Sequence, residues 1–365
     1  MKKTVIVGMS GGVDSSVAAL LLKEKGYEVI GVTYDFWHND DSPDDIYRNL
    51  SDAYEARAVA DTIGIRHLAV NYTKEFRNRV EKYFVREYLS GRTPNPCVMC
   101  NPLVKWAAML ETMKEYSADY VATGHYARID MLSNGRYAVK NSVTARKDQT
   151  YVLYKLSQEA LSHTLMPIGD YDKAEIRRIA KENKLPVADK PDSQEVCYID
   201  DNDYAGYIDR MIDGEFSELL NKEGLMRPHS GKFVTEKGEI LGEHKGITHY
   251  TVGQRRGLSI PAGHRIFVKE LRPETNEVVL SENEELFTRR VIAKDAAYMA
   301  VSALDKETEC IAKIRYNHAG SKGLLRPING GLIEVIFDEP VRAATPGQSL
   351  VCYKDDYVLC GGVIV

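Results

Sequence analysis

Ser10 to Ser16 read Ser-Gly-Gly-Val-Asp-Ser-Ser, between an apolar run and a helix-like run. Gly11 and Gly12 allow a tight turn whose amides can face one anion. The start of the following helix adds positive partial charge. Ser10, Ser15 and Ser16 supply hydroxyls, and Asp14 suits holding Mg²⁺ or orienting the loop better than meeting phosphate directly. The chemistry is that of binding nucleotide phosphates. The string is neither a Walker loop nor the dinucleotide fingerprint, because its glycines fall at 8, 11 and 12 and no Gly-Lys-Ser/Thr follows. A turn that binds nothing would give the hydroxyls and the aspartate no packing purpose.

The second group is sulfur. Cys97 and Cys100 form a Cys-x2-Cys pair in NPCVMCN, hemmed by Pro94, Pro96 and Pro102. These prolines predict a rigid, non-helical loop. A lone pair of this kind can be half a zinc site, a redox pair or part of a cluster ligand set. Structural zinc wants four ligands. No second such pair exists, although His125 with Cys197 could complete a set. Cys197 lies in the polar stretch KPDSQEVCYID, where a stray half-buried thiol is the plainer reading. Cys310, Cys352 and Cys360 lie in or beside strand-like runs and read as core residues.

The elements that must position these groups alternate. Thr4–Gly8, Glu28–Thr33, His67–Val70 and Tyr120–Gly124 read as strands. Ser15–Gly26, Ala53–Ile63, Thr73–Leu89 and Leu103–Tyr116 read as helices. Asp172 and Glu175 form a capping box for a helix running to about Asn183. This is an α/β pattern: a doubly wound, mostly parallel sheet covered on both faces. Beyond about residue 215 the runs shorten into hairpin-like pieces. The expected division is 1–205 for a nucleotide-binding catalytic domain, 206–283 for a small central β domain and 284–365 for a C-terminal β-barrel-like domain.

The chain has 365 residues, 44% apolar and 28% charged, which suits two or three folded domains rather than a disordered chain. Its net charge of −5 argues against a bulk nucleic-acid coat protein. Yet residues 66–105 hold eight Lys/Arg against three Asp/Glu, and residues 227–272 hold nine against four. Such local basic patches suit RNA phosphates. No apolar run approaches the ~18 residues of a membrane span. The N-terminal run is too short for an export signal, so a cytoplasmic setting is expected.

The loop resembles that of the N-type ATP pyrophosphatases, which split ATP to AMP and pyrophosphate while adenylating an oxygen. Seven strings extend the resemblance over nearly the full length, in order: TPNPC-x-x-CN, ADYVATGHYAR, KDQTYVLY, DS-x-x-x-C, YTVGQRRGL, KIRY and VIFDEPVRAATPGQS. Together they resemble the tRNA-specific 2-thiouridylases. That resemblance implies adenylation of the C2 oxygen of the wobble uridine, followed by displacement of AMP by sulfur. Cys197 matches the persulfide position, and Cys100 matches the partner that frees the sulfur or resolves the linkage as a disulfide. Better-known members have an aspartate where this chain has Cys97. Cys97, Cys100 and Cys197 could therefore instead hold a 4Fe-4S cluster with one iron open to hydrosulfide; both routes stay open.

The same resemblance carries other positions over. Gly8, Met9, Ser10, Gly11, Gly12, Val13, Asp14 and Ser15 would bind ATP with Mg²⁺, Tyr34 would meet the adenine side, and Gly124 would line the site. Asn95, Pro96, Cys97, His125, Lys147, Asp148, Gln149, Arg315, Tyr316 and Gln348 would face tRNA. The implied acceptors are the tRNAs for Lys, Glu and Gln. The implied sulfur source is a cysteine desulfurase, a relay protein or free sulfide. One alternative is a ligase of the same superfamily acting on a small molecule, which leaves the cysteines and basic patches unexplained. Another is a non-enzymatic RNA-binding or iron–sulfur protein with a dead loop, against which the intact SGGVDSS argues.

Overall fold

Thr4–Gly8 is a β-branched run whose side chains alternate between two cores. Val5 and Val7 pack with Val17 and Leu21 of the helix Val13–Glu24. Ile6 points to the other face, toward Trp106 and Met109. A strand buried on both faces belongs at the centre of a parallel sheet. The computed structural model, which describes residues 2–38, 43–192, 196–199, 201, 203–261 and 263–365, places it there. The sheet order is Arg66–Asn71, Glu28–Asp35, Thr4–Gly8, Tyr120–Ala122, Thr164–Leu165, with every pairing parallel. Strand order reverses between Thr4–Gly8 and Tyr120–Ala122, the place where doubly wound sheets open a crevice at the carboxyl ends of their strands.

The capping box forms as expected, with Asp172 and Glu175 exchanging backbone and side-chain bonds at the start of the helix Lys173–Glu182. The cysteine pair departs from expectation. Pro96–Cys100 is α-helical, Asn101–Lys105 is one π turn and Trp106–Glu115 is α-helical, so the prolines do not exclude helix. Pro96 stands in the first turn, where its missing N–H costs nothing. Pro102 has no N–H to give the preceding turn. The chain widens there, and the Trp106 amide bonds back to the Asn101 carbonyl.

The later residues form two further sheets. Gly231–Val234, Ile240–His244, Phe267–Arg272 and Glu277–Ser281 make a four-stranded sheet with its own small core around Phe233, Tyr250 and Val268. Six strands between Phe287 and Ile364 close on themselves, because Phe287–Tyr298 pairs with both Leu332–Arg342 and Tyr357–Ile364. Cys310, Cys352 and Cys360 are buried in this barrel, as expected of core residues. Two features were not legible beforehand. The hairpin Ala127–Met131/Tyr137–Asn141 leaves the nucleotide-binding half and joins the barrel strand Tyr357–Ile364. The helix Tyr204–Asp213 packs through Tyr207 and Ile208 on Phe84 and Val85.

Candidate active site

The glycine-serine loop sits at the switch point. Gly11 has φ +65°, and a Cβ there would lie 2.5 Å from the Asp52 carbonyl. Gly124 closes the other side: a Cβ would stand 2.5 Å from the Ser15 amide nitrogen. Both are glycine because backbone passes against backbone. The Ser16 hydroxyl donates to the Gly12 carbonyl at 2.8 Å, and Ser15 Oγ accepts from the Ser10 amide at 3.2 Å. The loop therefore holds its shape before any anion binds. Asp14 accepts from the Tyr126 hydroxyl at 2.7 Å and meets Lys173 Nζ at 2.8 Å. That arrangement orients the loop. Both carboxylate oxygens already have partners in Tyr126 and Lys173.

Met9 is buried, and its amide bonds to the Val32 carbonyl. Gly8 ends the central strand, and Val13 opens the helix. Tyr34 is buried, with its hydroxyl at 2.8 Å from Thr112 Oγ1, and burial raises its pKa. Its ring is thus part of the core beneath the crevice, stacked toward Phe36 and edge-on to Tyr72.

The sulfur half lies beyond the carboxyl ends of the neighbouring strands. Cys100 is buried with Phe76, Val80 and Val104, against Phe36, Trp37, Tyr72 and Tyr198. Burial pushes its thiol up to about 12, with the Lys105 charge working in the opposite direction. Cys97 is exposed on the first helical turn, where its amide donates to the Asn95 side chain. Cys197 is exposed. The surrounding protein raises its thiol pKa, again opposed by Lys105. The three thiols are close enough to sense one another's charge. Cys197 also senses Asp52, whose backbone abuts Gly11, so the sulfur and nucleotide halves adjoin. Ser193, Gln194, Glu195 and Asp200 of the Cys197 stretch lie outside the described residues.

The donor chemistry of three cysteines suits iron and sulfide. Among the described residues, however, no three Cys, His, Asp or Glu side chains form a metal-holding group. The thiols would have to close in to share a cluster.

Sequence reasoning missed Lys105. Burial works against its charge, but the Cys100, Cys197 and Cys97 thiols outweigh it and raise its pKa above the ordinary lysine value. The π turn is the device that places it: one wide turn carries the chain from Cys100 round to Lys105. The lysine five positions beyond the second cysteine, with a proline between, was the available signal.

The tRNA-facing candidates separate into groups. Asn95 caps the cysteine helix and Pro96 opens it. His125 Nδ1 lies 2.9 Å from Thr123 Oγ1, and its ring is 5.5 Å from that of Trp106. Burial and the Lys105 charge lower its pKa to about 3, so it is a neutral imidazole. Asp148 accepts from the Ser142 and Thr150 amides, and the Gln149 side chain accepts from the Tyr126 amide. These two shape a turn. Lys147 instead pairs with Asp192 at 2.8 Å. Arg315 and Tyr316 follow the barrel strand Thr308–Lys313 rather than lying within it. Arg315 donates to the Arg342 carbonyl, while Tyr316 stands edge-on to Tyr151 and senses the charges of Asp148 and Cys97. Gln348 donates to the Thr93 carbonyl at 2.8 Å, and the Thr93 amide donates to Pro346 at 2.9 Å. The barrel thus holds the base of the cysteine loop.

Comparison with known proteins gives a consistent pattern. Residues 3–201 match a family described as tRNA methyl transferase HUP domain. Residues 219–282 match its PRC-barrel domain, and residues 288–364 match an aminomethyltransferase beta-barrel domain. The chain is 51% identical over its whole length to the tRNA-specific 2-thiouridylase MnmA of Lachnoclostridium phytofermentans, covering 99% of that protein. It is 47% identical to the protein of the same name from Clostridioides difficile, over 100% of this chain and 98% of that one. A solved structure, the U34-tRNA thiolase NcsA of Methanococcus maripaludis with its 4Fe-4S cluster, is far more distant. It has 17% identity and a TM-score of 0.34, over 61% of this chain and 70% of that one.

Proposed function

The chain belongs to the tRNA-specific 2-thiouridylase family, and on that premise we propose how the two halves of its site divide the reaction. The enzyme uses ATP to thiolate a uridine of tRNA. The observation that carries the division is the adjacency of the nucleotide loop, through Asp52, to Cys197. The loop from Gly8 to Ser15 holds ATP so that the C2 oxygen of the wobble uridine attacks the α-phosphorus. The new O–P bond forms as pyrophosphate leaves. Adenylation converts a poor leaving oxygen into AMP.

Sulfur arrives as the outer atom of a Cys197 persulfide. The Cys100 thiolate attacks the inner sulfur, the bond to the outer sulfur breaks, and hydrosulfide is released. Hydrosulfide attacks C2 and AMP departs. The Cys100–Cys197 disulfide left behind is reset by an external thiol. Lys105 favours each anionic sulfur, which burial otherwise opposes. Tyr316, which senses the Cys97 charge, and the neutral His125, which senses Lys105, would supply a stacking ring and a hydrogen-bonding group for a flipped base. The proposed acceptors are the tRNAs for Lys, Glu and Gln. A cysteine desulfurase or relay protein would load Cys197 with sulfane sulfur in the cytoplasm; free sulfide would serve only the cluster route, where hydrosulfide itself is the nucleophile.

The test is a single turnover with tRNA and ATP. Cys197→Ser should retain tRNA-dependent pyrophosphate release and form no 2-thiouridine. Pyrophosphate release with a small acceptor and no RNA would refute the assignment. The third cysteine favours one second reading, a cluster on Cys97, Cys100 and Cys197. Iron near four per chain after anaerobic purification, lost in Cys97→Ala, would replace the persulfide route. Iron-free protein that thiolates tRNA from a persulfide donor would retain it.

A further inference from the structure

Three cations converge on one carboxylate beside the nucleotide loop. Lys147 Nζ is 2.8 Å from Asp192 Oδ2, Lys173 Nζ is 2.7 Å from Oδ1, and Arg177 Nη2 is 2.9 Å from the same Oδ1. Burial alone would raise the Asp192 pKa, but the lysine hydrogen bonds lower it to about 2. The cluster still carries more positive than negative charge. Lys173 is also shared with Asp14 of the loop, at 2.8 Å. The capping box at Asp172 fixes the turn that presents Lys173 and Arg177. Ammonium and guanidinium groups around a single oxyanion make the arrangement that phosphate oxygens take.

We propose that Lys147, Lys173 and Arg177 form a binding site for the β- and γ-phosphates of ATP, and then for pyrophosphate, which Asp192 occupies as a resident competitor until nucleotide arrives. The proposal rests on reading Ser10–Ser16 as the ATP loop. RNA backbone phosphates share the chemistry, but the tie from Lys173 to Asp14 places the cations at the nucleotide.

The experiment titrates magnesium pyrophosphate, magnesium ATP and tRNA separately into the full chain, its Asp192→Asn variant and its Arg177→Ala variant, by calorimetry. Asp192→Asn should bind pyrophosphate about tenfold tighter, since the competitor is gone. Arg177→Ala should bind it about tenfold more weakly, and tRNA affinity should hold within about twofold in both. Equal pyrophosphate affinity in wild type and Asp192→Asn, with ATP still bound, would overturn the proposal and leave the loop reading intact. Tightening for tRNA alone would also overturn it, in favour of an RNA backbone site. Failure of the wild type to bind either ATP or pyrophosphate would remove the loop reading and this proposal with it.

Discussion

Burial keeps the proton on Cys100, and Lys105 is the charge that can help remove it. Reactivity should follow. With iodoacetamide at pH 7.5, peptide mass spectrometry should show Cys97 and Cys197 alkylated at least tenfold faster than Cys100. Equal rates would mean that Cys100 is not the buried thiol described. Lys105→Met should slow 2-thiouridine formation about tenfold or more while tRNA-dependent pyrophosphate release persists, with partial rescue by Lys105→Arg. Parallel loss of both steps would mean that Lys105 supports the fold rather than sulfur. The cysteines and the nucleotide loop were visible from residue type and spacing. Lys105 was not, because its role depends on burial and on neighbours that the sequence does not place together.

At the scale of elements, the site depends on close backbone contact and on one helix start. Gly124→Ala would drive a methyl into the Ser15 amide. A rise in KM for ATP of at least tenfold is expected, with a folded, tRNA-binding chain. Asp172→Ala removes the capping box of Lys173–Glu182 and should lower stability by about 1 kcal/mol in denaturant titration. The alternation of strands and helices, and that cap, were readable from periodicity and from the Asp-x-x-Glu spacing. The helix across Cys97 and Cys100 was not. Proline rules disfavour a regular α-helix running through Pro102, but a single π turn accommodates the ring by widening and leads into the helix Trp106–Glu115.

The whole molecule brings distant parts of the chain together. Gln348 of the barrel ties to Thr93, three residues before Pro96, and a Cβ on Gly347 would press on Thr93. Gln348→Ala should therefore raise KM for tRNA severalfold with little change in ATP binding, since it loosens the cysteine loop and leaves the nucleotide loop alone. Acid should weaken the fold as well. Burial and Arg57 lower His67 to about 4, and burial and Lys105 lower His125 to about 3. Unfolded histidines titrate near 6.5. Below that pH the unfolded chain takes up protons that the native chain refuses. The stabilisation is complete above the unfolded pKa and is lost as pH falls from 6.5 toward 4. The slope should approach about 1.4 kcal/mol per pH unit for each histidine, and His67→Gln should flatten it in denaturation at pH 7 and pH 5.

By itself the sequence determined the α/β character of the first half, the phosphate loop, the sulfur residues and, through seven ordered strings, the family. Each of these is a local matter of residue type and spacing. Tertiary structure alone decided that Asp148 and Gln149 shape a turn, that Lys147 pairs with Asp192, and that Gln348 braces the cysteine loop. It also decided that a hairpin from the first half extends the barrel sheet. A polar side chain binds whatever the folded chain brings within about 3 Å of it. Asp148 bonds within its own turn, but for Lys147, Gln149 and Gln348 the partner lies far along the chain, and sequence spacing carries no record of it.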